Sequence, residues 1–276
     1  MSTPALRLEA VSKTFFPGTV NERTALREIS LTMETGEFVT IIGSNGAGKS
    51  TLFNAICGAF SVDSGRILLE GGDITHMRDY KRAYSIGRLF QDPMRGTAPN
   101  MTVEENLSLA FGRKAHKSFF AVNRHDSKIF REQLSQLGLG LEDRMGVKIG
   151  LLSGGQRQAV ALLMCTISRP NLLLLDEHTA ALDPATAQKV LEITEKLVEH
   201  TPTATMMITH DIGAALALGT RTIMMDEGRV ILDLSGERRK NMTVEELLKL
   251  YSQESKKALL SDRMLFELGR GQEKGN

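Results

Sequence analysis

Hydrophobic and polar positions alternate over short stretches in the first third of the chain, and turn residues break the pattern. Leu6 to Val11, Ile29 to Met33 and Arg66 to Leu69 read as extended segments, punctuated by Pro17-Gly18, Thr35-Gly36 and Gly71-Gly72-Asp73. A period of two residues is that of a half-buried strand, so an antiparallel β-region is expected there. Phe38 to Ile42, Leu172 to Leu175 and Thr205 to Ile208 are instead continuously apolar, each next to helical sequence. Strands covered on both faces carry such runs, which predicts a buried parallel sheet in an α/β core.

Between Asn100 and Arg169 the period becomes helical. Thr102 and Glu105 have capping-box spacing, and Ile129, Leu134, Leu137 and Leu139 supply apolar positions, which predicts an inserted helical subdomain. Thr222 to Met225 and Arg229 to Asp233 flank Asp226-Glu227-Gly228 as the arms of a hairpin. The string MTVEE occurs at Met101 and again at Met242; it reads as two helix starts rather than a repeat architecture. From Ser252 a short amphipathic piece (Leu259, Leu260, Met264, Leu265, Phe266) precedes a polar, glycine-rich ending expected to fray.

Composition narrows the class. The 276 residues are 41% hydrophobic and 24% charged, enough to bury a substantial core and to exclude a disordered chain or a collagen. Lysine and arginine number 34 against 33 acidic residues, a formal charge of +1 that creates no global field for nucleic acid or anionic lipid. Phosphate chemistry, if present, has to be local. The best apolar run, Ala159 to Ile167, is closed by Arg169 and Pro170, well short of the roughly 20 residues a bilayer span takes. Arg7 and Glu9 stand where a secretory signal needs apolar sequence, so a cytoplasmic protein is expected. Cys57 and Cys165 lie among apolar neighbours, with no Cys or His at metal-ligand spacing, and are expected to be small buried hydrophobes.

The local phosphate chemistry is visible in Gly43-Ser44-Asn45-Gly46-Ala47-Gly48-Lys49-Ser50-Thr51, which follows the apolar FVTII and opens the helical LFNAI. In this strand–loop–helix context glycines let successive N–H groups point at phosphate oxygens, and the following helix adds its positive end. Lys49 is then expected to meet the β and γ phosphates and Ser50 to offer its hydroxyl to Mg²⁺. LLLLDE supplies the acidic element: a buried strand delivers Asp176 and Glu177 to the carboxyl edge of the sheet, where ligands bind. Asp176 suits support of the metal and Glu177 suits acceptance of a proton from an attacking water. Such a strand would not end in two charges without a cation nearby, and Lys49 with Mg²⁺ is the expected one.

Leu152-Ser153-Gly154-Gly155-Gln156, taken with the phosphate loop and the DE-ended strand, resembles the ATPase subunit of ABC transporters over about Leu6 to Tyr251. Ser153 and Gln156 have the spacing to cap a helix whose start, unobstructed at Gly154 and Gly155, faces outward. The resemblance implies a P-loop NTPase fold of ABC type, α/β, with a mixed sheet core, an antiparallel β-subdomain and an inserted helical subdomain. Residues 1–276 would form a single ABC ATPase domain. Its RecA-like core with the antiparallel β-subdomain would be 1–90 and 170–251, its helical subdomain with the signature 91–169, and its C-terminal extension 252–276.

The resemblance also implies ATP and Mg²⁺ as cofactors and a homodimer in which each ATP lies between the phosphate loop of one copy and the signature of the other. Residue by residue, Gln91 in LFQDP matches the loop that senses Mg²⁺ and the γ-phosphate, and Asp183 in Ala181-Leu182-Asp183 matches the loop that crosses the dimer interface. His210 in MMITHD matches the histidine that contacts the γ-phosphate. Phe15 in VSKTF stands where the family places an aromatic on adenine, with Phe16 equally aromatic beside it. Glu177, His210, Gln91 and Lys49 would be the catalytic set, and Ser50, Gln91 and Asp176 would serve the metal.

Two features depart from the commonest family pattern. His178 stands where most members carry proline, so the turn after Glu177 loses a fixed φ; it is expected to tune the turn and to have no catalytic role. FQDPMRGTAPNMTVEENL is longer and more marked by Pro and Gly than a plain helix entry, at the place where the family docks its membrane subunit. With DEHTAALDP it is most similar to ATPases of bacterial tryptophan/tyrosine-type importers. The partners implied are integral-membrane permease subunits and, for an importer, an extracytoplasmic substrate-binding protein, which puts the ATPase on the inner face of the cell membrane. An exporter ATPase is the nearer alternative. A soluble ABC-type ATPase acting on DNA or ribosomes is the farther one. A single phosphate loop, no long heptad segment, no zinc-type cysteine pairs and no overall basicity speak against the latter, and no nucleic acid is expected as a partner.

Overall fold

The computed structural model describes residues 3–115, 124–199 and 201–254; the amphipathic piece and polar ending expected after Ser252 fall outside the described residues from 255 on. In chain order the first elements are β1 (Leu6–Phe15), β2 (Arg23–Met33), β3 (Phe38–Gly43), α1 (Lys49–Cys57), β4 (Ser64–Leu69), β5 (Gly72–Asp73), α2 (Asp79–Arg82) and β6 (Ile86–Leu89). Then come α3 (Val103–Ala115), α4 (Arg124–Ser135), α5 (Gly154–Thr166), β7 (Leu172–Asp176), α6 (Pro184–Val198) and β8 (Ala204–Ile208). The chain continues with α7 (Ile212–Ala217), β9 (Arg221–Asp226), β10 (Arg229–Ser235), α8 (Gly236–Lys240) and α9 (Val244–Glu254). Two compact units result: residues up to 79 together with those from 206, and residues 80–205.

The first unit contains the expected antiparallel sheet, in the order β2-β1-β4-β5. Leu6 and Leu8 face Met33 and Leu31 on one side and Leu69 and Ile67 on the other, and all six are buried, so one face of the sheet is apolar. β1 and β2 run longer than their alternation suggests. Register shifts interrupt both pairings of β1, and Ala10 and Glu28 take positive φ (47° and 52°). A bulge flips the inside–outside pattern, which is why the period of two did not carry through to Phe15 or back to Arg23.

The same unit holds β10, β9 and β3 in that order, with β8 next to β3 from Met206 on. β3, buried at every position, pairs in parallel with β9 from Val39↔Arg221 to Gly43↔Met225, and β9 and β10 form the expected antiparallel hairpin. Ile42, Met224 and Leu234 pack with Ile212 and Ala215 of α7 and with Leu247 and Tyr251 of α9. This places α9 on the strand that leads into the phosphate loop.

In the second unit β6 and β7 pair in parallel from Ile86↔Leu172 to Leu89↔Leu175. Four fully buried leucines on β7, each worth about 1.5–3 kcal/mol on burial, fix that strand in the core. α3 starts at a capping box in which Glu105 accepts the Thr102 N–H (2.7 Å) and donates its own N–H to the Thr102 hydroxyl (3.2 Å). Thr243 and Glu246 repeat this at the start of α9 (2.9 and 3.2 Å), so the recurring MTVEE is two helix starts. Leu134 and Leu137 are buried as expected, whereas Ile129 and Leu139 are half-buried. The cysteines also differ from expectation: both are outside any disulfide and only half-buried. Cys165 donates its S–H to the Arg88 carbonyl at 3.1 Å, a polar contact that its apolar sequence neighbours did not announce.

Candidate nucleotide site

In the first unit the phosphate loop leaves β3 at Gly43, whose φ is +152° and where a Cβ would stand 2.2 Å from the Met225 carbonyl oxygen of the paired strand. Gly48 closes the loop at φ +101°, 2.5 Å by the same measure from the Ala25 carbonyl. Only glycine fits either place. Between them Asn45 and Gly46 are exposed and Ala47 is buried. Lys49 is 5% exposed and donates to the carbonyls of Gly43 (2.7 Å) and Ser44 (3.1 Å), so the loop curls around its own cation. Ser44 donates its N–H to the Tyr251 hydroxyl (3.0 Å), and Arg23 donates to the Gly46 carbonyl (2.9 Å).

The helix that follows carries the observation that tests a phosphate ligand. α1 opens at Gly48 with no side-chain cap and no acidic residue in its first turn, while α5, α6 and α7 are capped by Ser153, Asp183 and Asp211. Gly48 thus places no capping side chain over the first turn, and phosphate oxygens fit a helix start of that kind. Ser50 is exposed and Thr51 half-buried on this first turn. His210, half-buried, stands two residues past the end of β8 and precedes the Asp211 cap of α7. Phe15 is half-buried, edge-on to Phe60 at 5.2 Å between ring centroids, with the Lys13 ammonium over both rings. Phe16, in contrast, is 66% exposed at φ +53°.

The second unit holds the other expected residues. Asp176 ends β7 buried, and the Arg88 guanidinium of β6 reaches its carboxylate at 3.1 Å. Within this unit the cation beside Asp176 is Arg88, in addition to the Lys49 with Mg²⁺ expected there. The charge inside the apolar IGRLF was the signal for it. Arg88 also lies over the Phe90 ring at 4.7 Å, next to the exposed Gln91. Glu177, half-buried, has a positive φ of 47° and accepts the Ala180 N–H (3.0 Å). His178 is 2% exposed, with Nε2 3.0 Å from the Thr194 hydroxyl, and burial pulls its pKa from 6.5 to about 4. Asp183, exposed, accepts the Thr186 N–H at 3.1 Å; its bonds to Thr186 hold the carboxyl below the ordinary carboxylate range.

The signature pentapeptide starts α5 with the predicted box: Ser153 accepts the Gln156 N–H at 3.3 Å and Gln156 accepts the Ser153 N–H at 3.4 Å. The Gln156 amide is further engaged by Arg144 (3.0 Å) and by the Leu139 carbonyl (3.3 Å). Ser153 and Gly154 are exposed, and Gly155 is buried. A Cβ at Gly155 would stand 2.2 Å from the Thr186 methyl, and one at Gly154 would stand 3.3 Å from Leu182. The paired glycines thus have a packing reason as well, against the segment that starts α6. Thr186, Thr194 and Tyr251 carried no signal in the residues alone, because the contacts with Gly155, His178 and Ser44 join residues 31, 16 and 207 positions apart.

An uncapped helix after a glycine-rich loop, and buried strands ending in acids, define a P-loop nucleotide-binding ATPase. Residues 26–180 match the family described as ABC transporter. The chain is 43% identical over 247 residues to the tyrosine transport ATP-binding protein of Clostridioides difficile (strain R20291), covering 89% of this chain and 98% of that protein. It is 33% identical over 236 residues to the lipoprotein-releasing system ATP-binding protein LolD of Ruegeria sp. (strain TM1040), covering 84% and 99%. Among solved structures it is similar to a dimeric ATP-binding cassette in a post-hydrolysis state bound to ADP and Pi. The TM-score is 0.73 at 30% identity, over 83% of this chain and 98% of that one. The chain belongs to the ABC transporter ATP-binding family; it is an ATP-binding cassette and an ATPase.

Proposed function

We propose that the protein is the ATP-binding subunit of an importer for an amino acid such as tyrosine, or a similar small solute, and that two copies enclose two Mg·ATP. The start of α5 carries the two-copy reading. Ser153 and Gly154 present a helix N-terminus to solvent, and an outward-facing anion site suits a phosphate held by another copy's loop. In this reading residues 43–51 and the first turn of α1 hold the phosphates, and Phe15 faces the adenine. Ser50, Gln91 and Asp176 would hold the metal, whose charge would offset that of the phosphates. Glu177 takes the proton of the attacking water, and His210 and Lys49 steady the γ-phosphate. Asp183 lies at the boundary between copies.

The amino-acid reading rests on the relative of C. difficile, whose whole length this chain nearly spans. No helix among the described residues is long and apolar enough to cross a membrane, so the work of closure would pass to separate permease subunits docked near residues 90–107. An extracytoplasmic binding protein would deliver the solute, and the ATPase would sit on the inner face of the membrane. The LolD relative supports an exporter as the second reading.

Glu177→Gln tests the site. Loss of a general base is expected to lower turnover by about 10²- to 10⁴-fold while ATP binding persists, and light scattering with Mg·ATP should show the mass doubling. A variant that stays monomeric at saturating ATP and turns over at the wild-type rate refutes the proposal. Solute movement into, rather than out of, proteoliposomes holding the permease decides the direction.

A further inference from the structure

We propose that His178 is a positioning residue for ATP hydrolysis: its imidazole pins the turn that carries Glu177 to the interior of α6 through Thr194, and so holds the Glu177 carboxylate in one place. The inference rests on the reading of Glu177 as the base.

Glu177 occupies a backbone conformation that a non-glycine residue does not keep by itself. Its φ is +47°, and the left-handed region costs an L-residue roughly 1–2 kcal/mol, so the surroundings must over-determine it. On the upstream side β7 does this, ending in the buried Asp176. On the downstream side the turn has the backbone bond from Ala180 to Glu177 and a second from Leu182 to Thr179 (3.1 Å). Backbone bonds within a turn let it pivot as a body. An attachment to something outside the turn is needed to stop that, and the His178 side chain is such an attachment.

The hydrogen-bond network fixes how the ring is held. Thr194 is fully buried within α6 and donates its hydroxyl proton to the Val190 carbonyl at 2.8 Å. Its oxygen is then the acceptor, so His178 donates its Nε2–H across 3.0 Å, which assigns the proton to Nε2. The helix that receives the pin is itself anchored. Asp183 caps it, Pro184 begins it, and Thr186 packs against Gly155. At 2% exposure the imidazole is closed off from solvent, so its effect on the reaction would pass through Glu177. An apolar side chain would fill the same space without setting the direction of the turn.

The test uses His178→Leu and Thr194→Val, which remove the bond, and His178→Gln and Thr194→Ser, which retain a donor and an acceptor. Loss of the pin should lower kcat about tenfold while KM for ATP and fluorescent-nucleotide affinity stay within about twofold. The melting temperature should recover in the double His178→Leu/Thr194→Val variant, where both partners are apolar and no buried polar group is left unmet, while kcat should stay low. The conservative variants should recover kcat to within about threefold of wild type, and the double variant should be no slower than either single one. In a Glu177→Gln background, His178→Leu should add no further loss. Wild-type kcat in both His178→Leu and Thr194→Val, with Glu177→Gln slow, overturns the inference alone. So does a kcat loss that persists in full without Glu177, or one that the conservative variants share. Wild-type turnover in Glu177→Gln overturns the reading of the base instead. If His178→Leu fails to fold, the two Thr194 variants decide.

Discussion

Acidification should destabilise the fold through His178 by an amount that can be isolated. Burial lowers the imidazole pKa from 6.5 to about 4, so over that interval the unfolded chain binds a proton that the folded one refuses. The contribution is complete above 6.5, falls as the pH drops, and is gone near pH 4. One pKa unit is about 1.4 kcal/mol, so the full loss is about 3 kcal/mol, and integration from about pH 7.5 to about pH 5 gives about 2 kcal/mol. Against the usual 5–15 kcal/mol of stability for a domain, roughly, that is a large share. Urea unfolding of wild type and His178→Gln at the two pH values separates this group from all other titrating residues, which both proteins keep. Wild type should lose about 2 kcal/mol more than the variant on acidification. Equal losses would mean that the ring accepts a proton freely in the native state, and the buried neutral pin would be wrong.

Gly155→Ala puts a methyl group 2.2 Å from the Thr186 methyl and should cost about 1–3 kcal/mol, read as a lower melting temperature; Thr186→Ser, which lacks that methyl, should restore most of it. No loss, or no rescue, dismisses the contact. Tyr251→Phe removes the acceptor of the Ser44 N–H and should cost about 1 kcal/mol in urea unfolding and weaken ATP binding a few-fold in a titration. Unchanged values in both would show that α9 does not support the phosphate loop.

What is local in the chain was legible from its residues. The phosphate loop follows an apolar strand and precedes an uncapped helix because glycines and Lys49 stand at fixed offsets. Ser153 with Gln156, and Thr102 with Glu105, form their boxes because the spacing of three residues suits the first helical turn. Period two and continuous apolar runs located most of the strands; they missed β6, whose apolar run is broken by Arg88, and fell short where the bulges at Ala10 and Glu28 inverted the alternation. Pairings across long stretches were invisible. Arg88 meets Asp176 across 88 residues, Ser44 meets Tyr251 across 207, and His178 meets Thr194 from a turn into a helix. A periodic pattern says which face a side chain takes, and nothing about which distant residue stands opposite. Those partners exist only once strands have paired and helices have docked, and at Asp176, Ser44 and His178 they decide which cation lies alongside, how the loop is held and which ring nitrogen donates.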